Sequence, residues 1–133
     1  MIDCQTERPP ETAQTVSIRT HTLVADIGPT DGGRDAGPGP HDLFDAALAS
    51  CKALTATYYA RQHNIPLESV ETHVERDNSN ERQGAYRLRV RVAFHGPLDD
   101  AQRHRLYEVV GKCPIHKLMT TATIEIVTEP LAV

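Results

Sequence analysis

Two cysteines of this chain stand where redox chemistry is possible. Cys51 lies inside an apolar helical pattern, and Cys113 directly precedes Pro114. Proline is favoured at the first position of a helix, so a helix that begins at Pro114 makes Cys113 its N-cap, where backbone N–H groups and the helix dipole stabilise a thiolate. Taken alone, Cys51 fits better as a small buried hydrophobe, and the Cys-Pro pair can equally mark the end of a preceding helix.

Metal binding is a weaker interpretation of the same residues. Cys113 and His116 form a C-x-x-H half-site, but no second paired half-site accompanies it, and structural zinc takes four ligands. The third cysteine, Cys4, lies in a polar N-terminal stretch. An odd cysteine count without a secretory signal argues against a disulfide scaffold and predicts a cytoplasmic protein, in which a cysteine pair is catalytic, redox-sensing or metal-binding.

Length and composition exclude several classes of function. At 133 residues with 39% hydrophobic and 24% charged residues, the chain predicts one globular domain over 1–133. The net charge of −4 disfavours binding to nucleic acid or to an anionic membrane, because such partners normally select a basic protein. No apolar run is long enough for a transmembrane helix.

The first 40 residues, which precede the helix that bears Cys51, divide into three segments of different composition. Residues 5–13 are polar and include Pro9-Pro10, so the stretch 1–13 is predicted to form a loose N-terminal arm or an edge. The Thr-rich stretch 15–26 has β propensity. The loop 28–40 is dense in glycine and proline, which marks a boundary between elements.

A long helix is predicted over 41–62, with Cys51 at its middle. Apolar residues recur at helical spacing and form one stripe, which predicts a mostly buried helix: Leu43, Ala47, Cys51, Leu54 and Tyr58, widened by Phe44 and Leu48. Pro40 fits the first helical position, and Asp42 places a carboxylate in the first turn.

The second half of the chain predicts a hairpin, a helix and a final strand. Alternation over 70–75 and over 86–94 predicts two antiparallel strands. A capping-box-like start at Asp99 opens a second helix, and 123–128 alternates as a last strand. Together these elements predict an α+β fold with a mostly antiparallel sheet.

Two segments carry a resemblance to a known family. PGPHDLFDAALASC (residues 38–51) and GKCPIH (residues 111–116) resemble the OsmC/Ohr family of osmotically induced and organic-hydroperoxide-resistance proteins. HTLVAD (residues 21–26), followed by the glycine-proline loop, is similar to the OsmC-like branch. The similarity runs from about residue 18 to residue 128.

The resemblance implies an intertwined homodimer, with a curved antiparallel sheet and centrally packed cysteine-bearing helices. It also implies peroxidase chemistry at the dimer interface, with Cys51 as the peroxidatic and Cys113 as the resolving cysteine. The implied substrate is an organic hydroperoxide. The implied reductant is an external dithiol of the dihydrolipoamide type, and no cofactor is expected. A thiolate that attacks the peroxide bond becomes a sulfenic acid, which a second thiol converts to a disulfide.

A positive partner for Cys51 is the point at which the chain departs from the family pattern. The family uses an N-terminal arginine, held by a glutamate ten residues before the first cysteine. Here that position is His41, followed by Asp42. Arg34 and Arg19 are both candidates for the arginine, with Arg34 preferred because its glycine-rich loop can swing toward the thiol. Asp42 can replace the glutamate, or His41 can meet the thiolate directly.

The expected function is therefore a thiol-dependent hydroperoxide reductase of oxidative or osmotic stress defence. Two alternatives use the same fold without efficient turnover. One holds a small apolar molecule in the interface cleft, and the other senses redox state. The replacement of the family glutamate by His41 favours these alternatives.

Overall fold

The computed structural model describes residues 1–132 and confirms the mixed α+β class, with antiparallel strands and three α-helices. Short 3-10 turns occur at Pro29–Asp31 and Glu81–Gln83. The strands and helices follow in the order β1 (Ile2–Thr6), β2 (Gln14–Ile18), β3 (His21–Ala25), α1 (Pro40–Gln62), β4 (Ser69–Asp77), β5 (Arg87–His95), α2 (Asp100–Val110) and α3 (Pro114–Thr121).

The first three strands form an antiparallel sheet in the order β1-β2-β3. Cys4 pairs with Val16, and Val16 pairs with Leu23. β1 is therefore an edge strand, which is one of the two alternatives predicted for this stretch. Every residue of β1 is exposed, and pairing of its backbone with β2 holds it in place.

The predicted hairpin is confirmed as a two-stranded sheet of β4 and β5. The predicted final strand over 123–128 is wrong, because residues 122–132 contain no helix or strand. Ile124 and Ile126 are 62% and 82% exposed. A strand needs a neighbouring strand to take its backbone hydrogen bonds, and none pairs with this segment within residues 1–132.

Contacts divide the chain into two compact units, each made of two separate segments. The first unit contains Met1–Ala47 and Val74–Arg89, and the second contains Leu48–His73 and the chain from Val90 onward. The second unit has a core of small α1 side chains and larger partners from β5 and α2: Ala56, Ala60, Phe94, Leu106 and Val110.

Helix α1 buries a different face from the predicted one, and Leu48 is the residue that the two faces share. Its buried residues recur at spacings of three and four: Asp45, Leu48, Lys52, Ala56 and Ala60. Leu54 and Tyr58, from the predicted apolar stripe, are each 67% exposed. The prediction of a mostly buried apolar stripe is thus wrong within this chain. The two alanines let neighbouring elements approach α1 closely, which the bulkier stripe does not.

The predicted helix starts are confirmed. Asp99 caps α2 in a complete capping box, because its side chain accepts from the Gln102 N–H while the Gln102 side chain accepts from the Asp99 N–H. Cys113 caps α3, and its sulfur accepts a hydrogen bond from the His116 N–H. These capping signals are local in sequence, so they can be identified without knowledge of tertiary packing.

The glycine-proline loop is organised around the buried carboxylate of Asp26. Asp26 accepts hydrogen bonds from the Thr12 hydroxyl at 2.5 Å and from the backbone N–H groups of Ile27, Arg34 and Ala36. These donors, the Thr12 hydroxyl foremost, lower the pKa of Asp26 to about 2. The carboxylate thereby fixes the path of the loop that precedes α1.

We expect Asp26→Asn to lower the melting temperature at pH 7 by several degrees, because an amide cannot accept on both sides. Because the pKa of Asp26 is lower in the folded state than in the unfolded chain, the ionised carboxylate stabilises the fold at pH values above the ordinary aspartate pKa. This contribution is lost as the pH falls toward about 2. The difference between Asp26→Asn and wild type should therefore be constant from pH 5 to 7 and shrink on acidification. Thermal melts across this range test it, with exposed Asp31→Asn as the control. A pH-independent difference would contradict the assignment.

Candidate functional site

The structure brings the two predicted redox cysteines into contact. Cys51 is half-buried at the middle of α1, and Cys113 is fully buried at the start of α3. Both thiols are free, and Cys51 lies close enough to Cys113 to raise the pKa of the Cys113 thiol. Cys51 also lies 3.9 Å from the Thr55 hydroxyl, one helical turn away. Cys4 is exposed and belongs to the first unit, so the pair in the second unit is 51 and 113.

Burial opposes ionisation of Cys113. Desolvation raises the pKa of its thiol, and the adjacent Cys51 raises it further. The His116 backbone N–H, 3.4 Å from the sulfur, and the positive charge of Lys52 act in the opposite direction. The sequence-based expectation of an N-cap contact is confirmed, but the helix N-terminus does not outweigh the desolvation of the sulfur.

Lys52 is the site residue that the sequence analysis missed. Its side chain is buried, with only 6% of the residue exposed. The Nζ atom donates to the carbonyl oxygen of Val110 at 2.7 Å and lies 3.1 Å from Nδ1 of His116. Lys52 falls outside the predicted apolar stripe, so periodicity did not predict its burial. Its position directly after Cys51 was the one signal available.

The two residues of the C-x-x-H half-site have other partners in this structure. The Nδ1 atom of His116 faces the Lys52 ammonium, and the Cys113 sulfur faces Cys51. Across residues 1–132, no group of three or more His, Cys, Asp or Glu side chains is arranged to hold a metal ion.

The two candidate arginines lie in the first unit. The Arg34 guanidinium contacts Glu11 at 3.2 Å and Glu7 at 3.5 Å. Arg19 lies between β2 and β3 with a positive φ of 55°. Cys51 belongs to the second unit. The role of either arginine toward Cys51 stays a prediction.

Asp42 and His41 have partners within the first unit. Asp42 accepts from the Gly39 N–H at 2.9 Å and pairs with Arg76, and these contacts lower the pKa of the Asp42 carboxyl. His41 lies 2.7 Å from the Glu81 carboxylate. The partner of Asp42 in this structure is thus Arg76 rather than Arg34, and the roles of Asp42 and His41 toward Cys51 stay predictions.

Arg76 also binds the buried Asp45, which accepts a second hydrogen bond from the Tyr86 hydroxyl at 2.7 Å. Burial, together with the Asp45 carboxylate, raises the pKa of Tyr86 to about 12. This network joins the first turns of α1 to β4 and to the residue that precedes β5. The sequence analysis did not identify it, because no local pattern connects these positions.

A family model for the OsmC-like protein matches residues 32–129, which is most of the chain and includes both cysteines. The chain belongs to the OsmC-like family. No curated protein matches it in sequence. In the described residues of this OsmC-like chain, no helix combines the length and apolarity needed to cross a membrane.

Solved structures of similar fold include three informative relatives. An OsmC-like protein from Mycoplasma pneumoniae shares 20% identity with a TM-score of 0.72, covering 91% of this chain and 86% of that one. The organic hydroperoxide resistance protein OsmC from Legionella pneumophila shares 17% identity, with a TM-score of 0.63 over 91% and 88% of the chains. OhrB of Bacillus subtilis, an organic hydroperoxide resistance protein, shares 19%, with a TM-score of 0.59 over 91% and 90%. These likenesses show the OsmC-like fold.

Proposed function

We propose that this OsmC-like protein is a thiol-dependent hydroperoxide reductase that acts on organic hydroperoxides through Cys51 and Cys113. The observation that carries the proposal is that both thiols lie in the second unit, with Cys51 close enough to Cys113 to raise the pKa of its thiol. The names of similar structures, which include organic hydroperoxide resistance proteins, support the substrate class.

The chemistry balances with these two thiols and an external dithiol. The Cys51 thiolate attacks the peroxide bond, the alkoxide leaves and takes up a proton as the alcohol, and a sulfenic acid remains on Cys51. Cys113 then attacks that sulfur and expels water, which forms the 51–113 disulfide. A dithiol of the dihydrolipoamide type reduces this bond by exchange. Cys51 is half-buried, so a hydroperoxide reaches it more readily than it reaches the fully buried Cys113.

The functional unit that we propose is a homodimer in the cytoplasm. Leu54 and Tyr58 expose a large apolar area on the α1 face that also bears Cys51. The segment 123–128 has strand-forming residues but no strand to pair with within residues 1–132. Association with a second copy of the chain would cover the apolar α1 face and would offer residues 123–128 a strand to pair with. Free thiols at 51 and 113 suit a reducing compartment.

A redox sensor is the second candidate function. Burial of Cys113 raises the pKa of its thiol, which slows disulfide formation and regeneration near neutral pH. His41, at the position of the family glutamate, is engaged with Glu81. Both observations are compatible with a protein that is oxidised stoichiometrically rather than cycled.

A steady-state assay separates these functions. Cumene hydroperoxide, tert-butyl hydroperoxide and hydrogen peroxide are supplied in turn, with dihydrolipoamide or dithiothreitol as the reductant. Turnover that favours the organic hydroperoxides supports the reductase. One equivalent consumed per pair of thiols, without turnover, supports the sensor. Absence of any thiol oxidation would refute both and favour a binding role for the fold.

A further inference from the structure

We propose that Lys52 is a positioning residue for the resolving step, in which its buried ammonium promotes ionisation of Cys113 and so speeds closure of the 51–113 disulfide. This inference rests on the proposed two-cysteine function and adds to it a cation on the side of the second cysteine. It assigns to the residue after Cys51 a role that is separate from the attack on peroxide.

The surroundings of Lys52 leave its charge available to the thiol. Neither of its polar partners is a carboxylate: Nζ donates to the Val110 carbonyl at the C-terminal end of α2 and lies 3.1 Å from Nδ1 of His116. The end of a helix favours a cation at this place.

Side chains from two helices act on Cys113. Cys51 and Lys52 come from α1, and His116 comes from α3, where its backbone N–H donates to the sulfur. His116 links Lys52 to Cys113, because its ring contacts the Lys52 ammonium through Nδ1 while its backbone N–H contacts the sulfur. The buried positive charge of Lys52 therefore favours the thiolate form of the fully buried sulfur.

The step itself needs no further reactant. Cys113 loses its proton, and the thiolate attacks the sulfur of the Cys51 sulfenic acid. The S–O bond breaks, the S–S bond forms, and the departing hydroxide takes up a proton to give water. The hydroperoxide has already supplied the oxidising equivalent. The positive charge of Lys52 stabilises the negative charge of the attacking sulfur.

The size of the effect follows from thiolate chemistry. Loss of a close opposite charge lowers the thiolate fraction by about tenfold or more. The remaining thiolate is more basic and therefore more nucleophilic, which offsets part of the fall in the rate of attack. We therefore expect Lys52→Met to slow disulfide closure roughly 4- to 12-fold near neutral pH. The rate at which peroxide oxidises the Cys51 thiol should change much less.

The experiment is a single turnover with one equivalent of cumene hydroperoxide, followed from pH 6 to 10 in a Cys4→Ser background. Sulfenic acid trapping and disulfide mapping report the two steps separately. Closure in Lys52→Met should approach the wild-type rate at high pH, where Cys113 ionises without help. Lys112→Met, which removes an exposed lysine next to Cys113, is the matched control and should behave as wild type. Slowing by the same factor at every pH, or no slowing, would overturn the proposal.

A second measurement does not depend on peroxidase activity. In a Cys51→Ser background, the pH profile for alkylation of Cys113 should move to higher pH in Lys52→Met even if the protein turns over no hydroperoxide. Lys52→Gln, which keeps a hydrogen-bond donor without the charge, should show the same shift and replaces Lys52→Met if that variant does not fold. An unmoved profile in both refutes the role of Lys52, whereas a moved profile without turnover refutes only the proposed function.

Discussion

Cys51→Ser is expected to reduce hydroperoxide consumption to the uncatalysed background. A serine hydroxyl does not ionise near neutral pH and is a poor nucleophile toward the peroxide bond, so no sulfenic acid forms. The measurement is hydroperoxide consumption with dihydrolipoamide in excess. Cys4→Ser is the control and should retain full activity, because Cys4 is exposed on β1 and belongs to the other unit.

Cys113→Ser is expected to give a different defect. One equivalent of hydroperoxide should still be consumed, and the Cys51 sulfenic acid should accumulate, react with a trapping reagent and over-oxidise on further exposure. Turnover should stop, because no second thiol closes the disulfide. The opposite pattern, with a trappable sulfenic acid on Cys113 in Cys51→Ser, would show that the buried thiol attacks first and would reverse the assignment.

Leu54→Asp is expected to break the proposed homodimer. A buried leucine contributes about 1.5–3 kcal/mol, and two-fold symmetry places the substitution in the interface twice, so the dissociation constant should rise roughly 10²- to 10⁴-fold. Light scattering at micromolar concentration should then report a monomer or an unfolded chain. Leu54→Met, which keeps an apolar side chain of similar volume, should remain dimeric. A wild-type protein that is a stable folded monomer would refute the dimer directly.

Helix starts were the part of this fold that the sequence predicted best. The capping box at Asp99 and the Cys113-Pro114 pair each act over three or four residues, so their geometry is encoded where they stand. The pairing of Cys51 with Cys113 came from a family resemblance rather than from spacing. The contact of the thiols agrees with it.

The buried face of α1 was not predictable from its own periodicity. A stripe of leucine, tyrosine and cysteine identifies an apolar face but not what covers it. In this chain the covered face is the one with Ala56 and Ala60, whose small side chains pack against β5 and α2. Lys52 is buried on that same face and was missed for the same reason.

Two segments show where a local pattern does not decide strand formation. Every residue of β1 is exposed, yet the strand forms because β2 offers a register of backbone partners. Residues 123–128 alternate well, yet form no strand because no neighbouring strand pairs with them within residues 1–132. Backbone pairing is decided by partners distant in sequence, which a local pattern does not contain.

The interleaved arrangement of the two units has a consequence for synthesis on the ribosome. The first unit needs Val74–Arg89, so it cannot be completed until two-thirds of the chain has been made. At that stage Leu48–His73 has been made, but the rest of the second unit, to which this segment belongs, has not. Ala56 and Ala60 must wait for Phe94, Leu106 and Val110 before their side of α1 is covered. The first unit therefore cannot be completed before Arg89 has been made, and the core of the second cannot be completed before α2. A truncation at any point before α2 should leave an apolar helix face open to chaperones and proteases.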